Sequence, residues 1–278
     1  MKNKTQFSFE IFPPKKTSPS EVLYKNLDEL YQLKPDFISV TFGAMGSKLN
    51  QSTVDIASRI EENGITSVAH LPCVNFSKQE ILSVLSELKE KNVKNILALR
   101  GDILPDISPK TDFKYASDLT AFIKENGDFN IFGACYPEVH PEAKNMISDI
   151  TALKVKVDNG VTHLISQLFY DNSAFYKFIE LAKVMNINVP ISAGIMPITN
   201  KTQIFKIVSM CNAKLPSKFI KIMEKFGDDS KALFDAGIAY AVDQIVDLIA
   251  NNVTGIHLYT MNNPEVARRI KFAIGNLL

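Results

Sequence analysis

Polar side chains stand at or just after the ends of six short β-rich runs: Glu10, Thr41, His70, Arg100 with Asp102, Tyr136 and Gln167. Successive runs lie about 30 residues apart. Glu10 sits between Phe9 and Ile11 and is followed by Phe12-Pro13-Pro14. Burial disfavours a charged carboxylate and raises its pKa. Glu10 is therefore expected to be a general acid near neutral pH; the competing reading is a buried carboxylate paired with a cation such as Arg100. Arg100-Gly101-Asp102 closes an apolar run. A guanidinium there suits bidentate grip of an anion, which Lys would not reproduce. Asp102 could tune an electron-poor ring or accept substrate hydrogen bonds; the competing reading is an Arg–Asp pair that holds the loop. The stretch from Tyr136 to Lys144 (YPEVHPEAK) is the densest in polar groups. His70, His140 and Glu10 form no HxH or HExxH spacing, so no metal site is expected. GxGxxG is absent, which argues against a Rossmann dinucleotide site. His163 and His257 read as ordinary strand residues.

Eight strands are expected to carry these groups: residues 7–12, 37–42, 67–71, 95–99, 130–136, 163–168, 190–195 and 255–260. They are short and rich in β-branched and aromatic residues. Helical apolar spacing marks 20–33, 77–91, 141–159, 173–185, 201–211, 229–251 and 264–274, with a capping-box order at Ser77 and an additional helix at 216–226. Eight βα units of this length predict an α/β fold, a (β/α)8 TIM barrel with an extra helix before the last strand, as one domain over 1–278. A doubly wound open sheet is the rival architecture. Side chains alternate faces along a strand. Alternation turns Phe7, Phe9 and Ile11 toward the helices, and Ser8 and Glu10 into the barrel. The same rule places Ser39, Thr41, Val68, His70, Ile96, Ala98, Arg100, Ala134, Tyr136, Ile165 and Gln167 inward. A barrel's active site lies at the carboxyl ends of its strands, where these polar groups gather.

Composition narrows the partners. The 278 residues carry a formal charge of +1, which argues against polyanion binding by bulk charge. Only four of 31 basic residues are Arg: Arg59, Arg100, Arg268 and Arg269. Cys73, Cys135 and Cys211 form no CxxC, which suggests free thiols in a reducing compartment. No apolar run is long enough for a membrane span and no signal-peptide pattern opens the chain, so a cytoplasmic location is expected.

FSFEIFPPK, SVTFGA, AHLPC, LALRGD, YASDL, YPEVHPEAK, SQLFYD, GIMPITN and LYTMN occur in that order, from Phe7 to about Asn263. Together they resemble methylenetetrahydrofolate reductase of the bacterial type. The resemblance implies a (β/α)8 barrel binding FAD at the carboxyl ends of its strands. It implies that NADH or NADPH, with NADH favoured, reduces FAD and leaves. 5,10-Methylenetetrahydrofolate would then take its place and be reduced to 5-methyltetrahydrofolate, supplying methyl groups for methionine synthesis. Glu10 would protonate the leaving nitrogen as the folate ring opens, and Asp102 would lie beside flavin and pterin. Gln167 and Gln203 would contact substrate. Thr41, Ala44, His70, Arg100, Gly101, Asp102, Ala116, Tyr136, His140, Ala143, Asp149 and Lys156 occupy FAD-contact positions. A homo-oligomer is expected, with no nucleic acid or membrane partner and no control by S-adenosylmethionine. The chain departs from the pattern at Ala152 and Val155, where polar and basic FAD contacts are usual. It also departs at Ile207, where an aromatic is usual, and at Asn263, where Arg is usual. Two rival functions are a metal-dependent barrel lyase or hydrolase using Glu10, His70 and His140, and a non-catalytic folate- or flavin-binding protein.

Overall fold

The alternation of short strands with amphipathic helices closes into a ring. The computed structural model describes residues 4–14, 20–42, 51–103, 108–201 and 213–278. The strands are β1 (Gln6–Ile11), β2 (Phe37–Val40), β3 (Thr66–Pro72), β4 (Asn95–Leu99), β5 (Asn130–Cys135), β6 (Val161–Ser166), β7 (Ile191–Ile195) and β8 (Gly255–Tyr259). They pair in sequence order, all parallel, and β8 returns to β1. The described helices are α1 (Ser20–Tyr31), α2 (Gln51–Glu62), α3 (Lys78–Glu90), α4 (Ala116–Asn126), α5 (Met146–Asp158), α6 (Asn172–Val184), α7 (Ser217–Phe226), α8 (Ser230–Ala250) and α9 (Pro264–Ile274). This is the (β/α)8 barrel, not the open sheet, and α7 is the extra helix. Among the described residues, no helix is long and apolar enough to cross a membrane.

Two apolar layers hold the ring. Outward residues such as Phe7, Phe9, Ile11, Ile38, Val40, Leu71 and Leu258 meet the helix stripes, for example Leu23, Leu27 and Leu30 of α1. Inside, Phe37, Val68, Leu97, Phe132 and Ile165 form a separate plug. His163 stacks on Phe132 at 4.7 Å and His257 on Phe37 at 5.5 Å. This filled interior makes a floor, so ligands can reach only the mouth.

The structure reverses one strand. On β4 the plug takes Leu97, with Leu99 packed against it, while Ile96 and Ala98 belong to the outer core. The expected inward set of Ile96, Ala98 and Arg100 is therefore wrong. Both faces of this strand are apolar, so period two carries no signal there. Arg100 follows the strand end. The helix expected over 141–159 starts only at Met146, where Asn145 caps it by accepting from Ser148 N. Residues 140–144 are thereby left in the turn that faces the mouth. Helices α2 and α4 had no delimited counterpart. The Ser77 capping box is present: Ser77 N donates to Glu80 Oε2 at 2.7 Å and Glu80 N to Ser77 Oγ at 3.3 Å. Most of the helix expected over 201–211 lies outside the described residues.

Candidate active site

Two cavities open at the carboxyl end of the barrel. The first, about 410 Å³, lies in the mouth. Glu10, Thr41, His70, Arg100, Gly101, Asp102, Tyr136, His140 and Gln167 all line it, with Tyr259. The second, about 590 Å³, lies on the flank and is lined by residues of α4 and α5, among them Ala116, Ala143, Asp149 and Lys156. Arg100, Ala134, Tyr136 and His140 line both cavities and form their common wall. The structure thus brings the described candidate catalytic, cofactor and substrate positions together at one end of the barrel, and Asn263 lines neither cavity. Ala44, Gln203 and Ile207 lie outside the described residues.

The mouth is built on strand-borne side chains. Glu10 points inward from β1, and its side chain is 18% exposed. Its Oε2 lies 3.4 Å from Ser39 Oγ, 3.4 Å from His70 Nε2 and 3.6 Å from His257 Nε2. The His70 contact is close but not aligned as a hydrogen bond. His257 is fully buried, with Ser8 Oγ 2.8 Å from its Nδ1 and Ser39 Oγ 3.3 Å from its Nε2. Burial pushes the Glu10 carboxyl up, but His257 and His70 outweigh it and draw its pKa down to about 2. This corrects the expected raised value: burial was legible, the two imidazoles were not. Burial in turn lowers the pKa of His257 against the pull of Glu10.

Neither expected partner of Arg100 is the one it has. Its guanidinium grips Glu142 with two bonds, Nη1–Oε2 at 2.5 Å and Nη2–Oε1 at 2.7 Å. The pair spans the junction of the cavities. Asp102 is exposed at the mouth, and its carbonyl accepts from Asn75 Nδ2 at 3.0 Å. Gly101 between them has φ +83°, and a Cβ there would lie 2.7 Å from Pro72 Cβ. That position requires glycine twice over. Gln167 turns its amide oxygen to Leu168 N at 2.8 Å.

On the flank, Asp149 accepts from His140 N at 2.9 Å and ties the loop to α5. His140 Nδ1 accepts from Glu142 N at 3.1 Å, and its ring meets Tyr136 edge-on at 4.6 Å. Val139, just before it, has φ +75°, a strained conformation for a β-branched residue. Lys156 Nζ donates to the Ala134 carbonyl at 2.7 Å, and burial lowers its pKa. A buried ammonium beside an open cavity is a ready partner for an anion. The residues present therefore fit a dinucleotide. Arg100 and Lys156 would be the cations available to its diphosphate. Ala152 and Val155 line that flank and add no charge. Asn263, where an Arg is usual, instead caps α9 by accepting from Glu265 N at 3.0 Å.

Three neighbours of this site were missed from sequence. His257 and Tyr259 share the inward face of β8, a signal present in the alternation of GIHLYT. Glu142 lies within the YPEVHPEAK stretch, but nothing in its spacing pointed to Arg100. Tyr259 spans the mouth to donate its hydroxyl to the Ser166 carbonyl at 2.8 Å. It crosses above Gly194, where a Cβ would lie 2.7 Å from the Tyr259 ring.

The chain matches the methylenetetrahydrofolate reductase family over residues 1–275. It is 34% identical over 275 residues to the 5,10-methylenetetrahydrofolate reductase of Pectobacterium carotovorum, covering 99% of this chain and 92% of that protein. Against the Escherichia coli enzyme of the same name it is 34% identical over 268 residues, covering 96% and 90%. Methylenetetrahydrofolate reductase (NADH) 1 of Arabidopsis thaliana is 34% identical across 98% of this chain and 48% of its own length. Among solved structures, a Clostridium thermocellum protein described as binding two copies of 5-methyl-5,6,7,8-tetrahydrofolic acid superposes with a TM-score of 0.67. It is 14% identical, covering 99% and 96%, so it speaks for the fold alone. The family's match takes in every strand of the barrel and both cavities, and the chain belongs to the methylenetetrahydrofolate reductase family.

Proposed function

We propose that the protein reduces 5,10-methylenetetrahydrofolate to 5-methyltetrahydrofolate with electrons from NADH or NADPH. FAD is its resident cofactor and the two substrates use the mouth in turn. The observation that carries this reading is the adjacency of the two cavities across a shared wall, with a carboxylate at the floor of one and a buried cation at the edge of the other. Bound FAD would supply what the side chains lack, accepting a hydride from the nicotinamide and yielding one to the folate. Arg100, Gly101, Tyr136, His140 and Lys156 would hold it. Because a single mouth lies above Glu10, one substrate must leave before the other enters.

Glu10 delivers the proton. The five-membered ring of the folate must open before its one-carbon unit can accept a hydride, and protonation of the leaving nitrogen opens it. In the open mouth Glu10 is ionised. A folate filling the cavity would strip the remaining water from the carboxylate, and burial is the influence that raises its proton affinity. Asp102 at the rim would favour the cationic carbon that ring opening creates. Cys73 and Cys135 are free thiols, consistent with a reducing cytoplasm. The product would serve as a methyl donor for methionine synthesis.

Anaerobic spectroscopy tests this. Protein loaded with FAD should be yellow, bleach with NADH or NADPH, and regain its colour with methylenetetrahydrofolate. Bleaching with no return on adding the folate would overturn the folate assignment. A protein that takes up no FAD would overturn the cofactor.

A further inference from the structure

The floor of the mouth holds more proton-handling groups than one acid needs. Beneath Glu10, Ser8, Ser39 and His257 form a chain of contacts, with Ser8–Nδ1 at 2.8 Å, Ser39–Nε2 at 3.3 Å and Nε2–Glu10 Oε2 at 3.6 Å. Ser8, Ser39 and His257 are fully buried.

The Ser8 hydroxyl has two acceptors within reach, the Ile256 carbonyl at 3.3 Å and His257 Nδ1. If it donates to the carbonyl, Nδ1 must carry a hydrogen and donate to Ser8. Nε2 then carries only a lone pair, which the Ser39 hydroxyl can meet at 3.3 Å, so the neutral ring offers Glu10 no hydrogen. If the hydroxyl turns to Nδ1, the neutral ring carries its hydrogen on Nε2, on the side of Glu10 Oε2. Rotation of one buried hydroxyl thus decides whether the ring offers a hydrogen to the carboxylate.

We propose that His257, set by Ser8, is the positioning residue for Glu10: it aims the carboxyl group and determines when that group holds a proton. This rests on the reading of Glu10 as the acid of folate reduction. The proton given to the folate nitrogen leaves Glu10 as a carboxylate, and His257 N–H stabilises it. Glu10 then takes its next proton from water as the next folate enters the mouth and desolvates the carboxylate. The groups facing the pair from neighbouring strands are His70 on β3, His163 on β6 and Tyr259 on β8, while β2 offers only Ser39 and the Phe37 ring. His70 is the one other imidazole in contact with Glu10.

Isotope-edited infrared titration of the carboxyl stretch, with Glu10→Gln used to assign the band, tests this without cofactor or turnover. In His257→Gln the Glu10 band should titrate roughly 1–3 pH units higher than in the unsubstituted protein. Ser8→Ala, which keeps the ring and removes only its anchor, should move it the same way by less. The acidic limb of the folate half-reaction should shift with the band. A band that titrates at the same pH in all three proteins would overturn the proposal, as would a rate that falls without any shift of its pH profile. If the protein takes up no FAD, the functional reading fails while the infrared titration still decides the role of His257.

Discussion

The floor of the mouth and the wall of the flank cavity are built by opposite means. On the floor, Ser8, Glu10, Ser39, His70 and His257 project from strands whose positions the parallel ladder fixes, and they contact one another across four strands. On the flank, Glu142, Asp149 and Lys156 project from a turn and from α5, and each is held by one or two bonds. Two of the four departures from the family pattern fall on one side of this division. Ala152 and Val155 fall on the flank, while the run FSFEIFPP around Glu10 is intact. Proton chemistry tolerates errors of a fraction of an ångström and so rests on strands.

Substitutions can break this contrast, beginning with Glu10. Glu10→Gln keeps the shape and removes the proton, so folate-dependent reoxidation of flavin should slow by about 10²–10⁴. Bleaching by NADH should continue. Stopped-flow absorbance of the two half-reactions checks this; equal losses in both would mean that the floor serves binding instead.

Acid should attack the floor next. His163 is held neutral, with burial pulling its pKa from 6.5 down to about 4. The unfolded chain therefore binds more protons below 6.5, and stability falls as pH drops from there toward 4. The cost is at most roughly 3.5 kcal/mol at about 1.4 kcal/mol per pH unit. Glu10 adds to it lower down: its contribution is whole above its unfolded value of 4.5 and is lost as pH falls toward 2. Urea unfolding followed by far-ultraviolet circular dichroism suits a chain without Trp, and His163→Gln should flatten the upper part of the loss.

On the flank the expected effects concern affinity. Lys156→Met removes a buried charged donor, which is worth about 1.5–3 kcal/mol, so FAD should bind about 10–100-fold more weakly. At saturating FAD the folate step should keep its rate, the reverse of the Glu10 variant. Smallest of all, Val155→Arg should restore a cation at the cavity edge and tighten FAD by a few-fold at most, since a half-exposed pair is worth about 0.2–1 kcal/mol. Fluorescence quenching of FAD measures both.

The same division separates what could be read from the sequence from what could not. Repeating βα units of about 30 residues made the barrel legible, and strand alternation put Glu10 and His70 in one mouth. Alternation failed on β4, where Ile96, Leu97, Ala98 and Leu99 are alike in polarity. The proton affinity of Glu10 was misread because its neighbours arrive from far along the chain; Ser8 and His257 are 249 residues apart. Arg100 found Glu142, 42 residues away, rather than Asp102 two residues on, because the turn before α5 folds back over the end of β4. Local rules describe burial, whereas a pKa depends on which particular groups share the burial.

Gly194 and Tyr259 give this ring a front. Eight similar units arranged around an axis would present reactants with equivalent approaches from every side. The tyrosine laid across the missing side chain of β7 closes one sector, and among the described residues β7 contributes nothing to the lining of the mouth. Among the described residues the mouth is lined from β1 round to the end of β6, and by Tyr259 of β8. A planar reactant entering over Glu10 therefore has one edge toward the tyrosine and the other toward the arginine. A Cβ at Gly194 would meet the Ser166 carbonyl oxygen at 2.1 Å as well as the ring, so only glycine lets the tyrosine lie there.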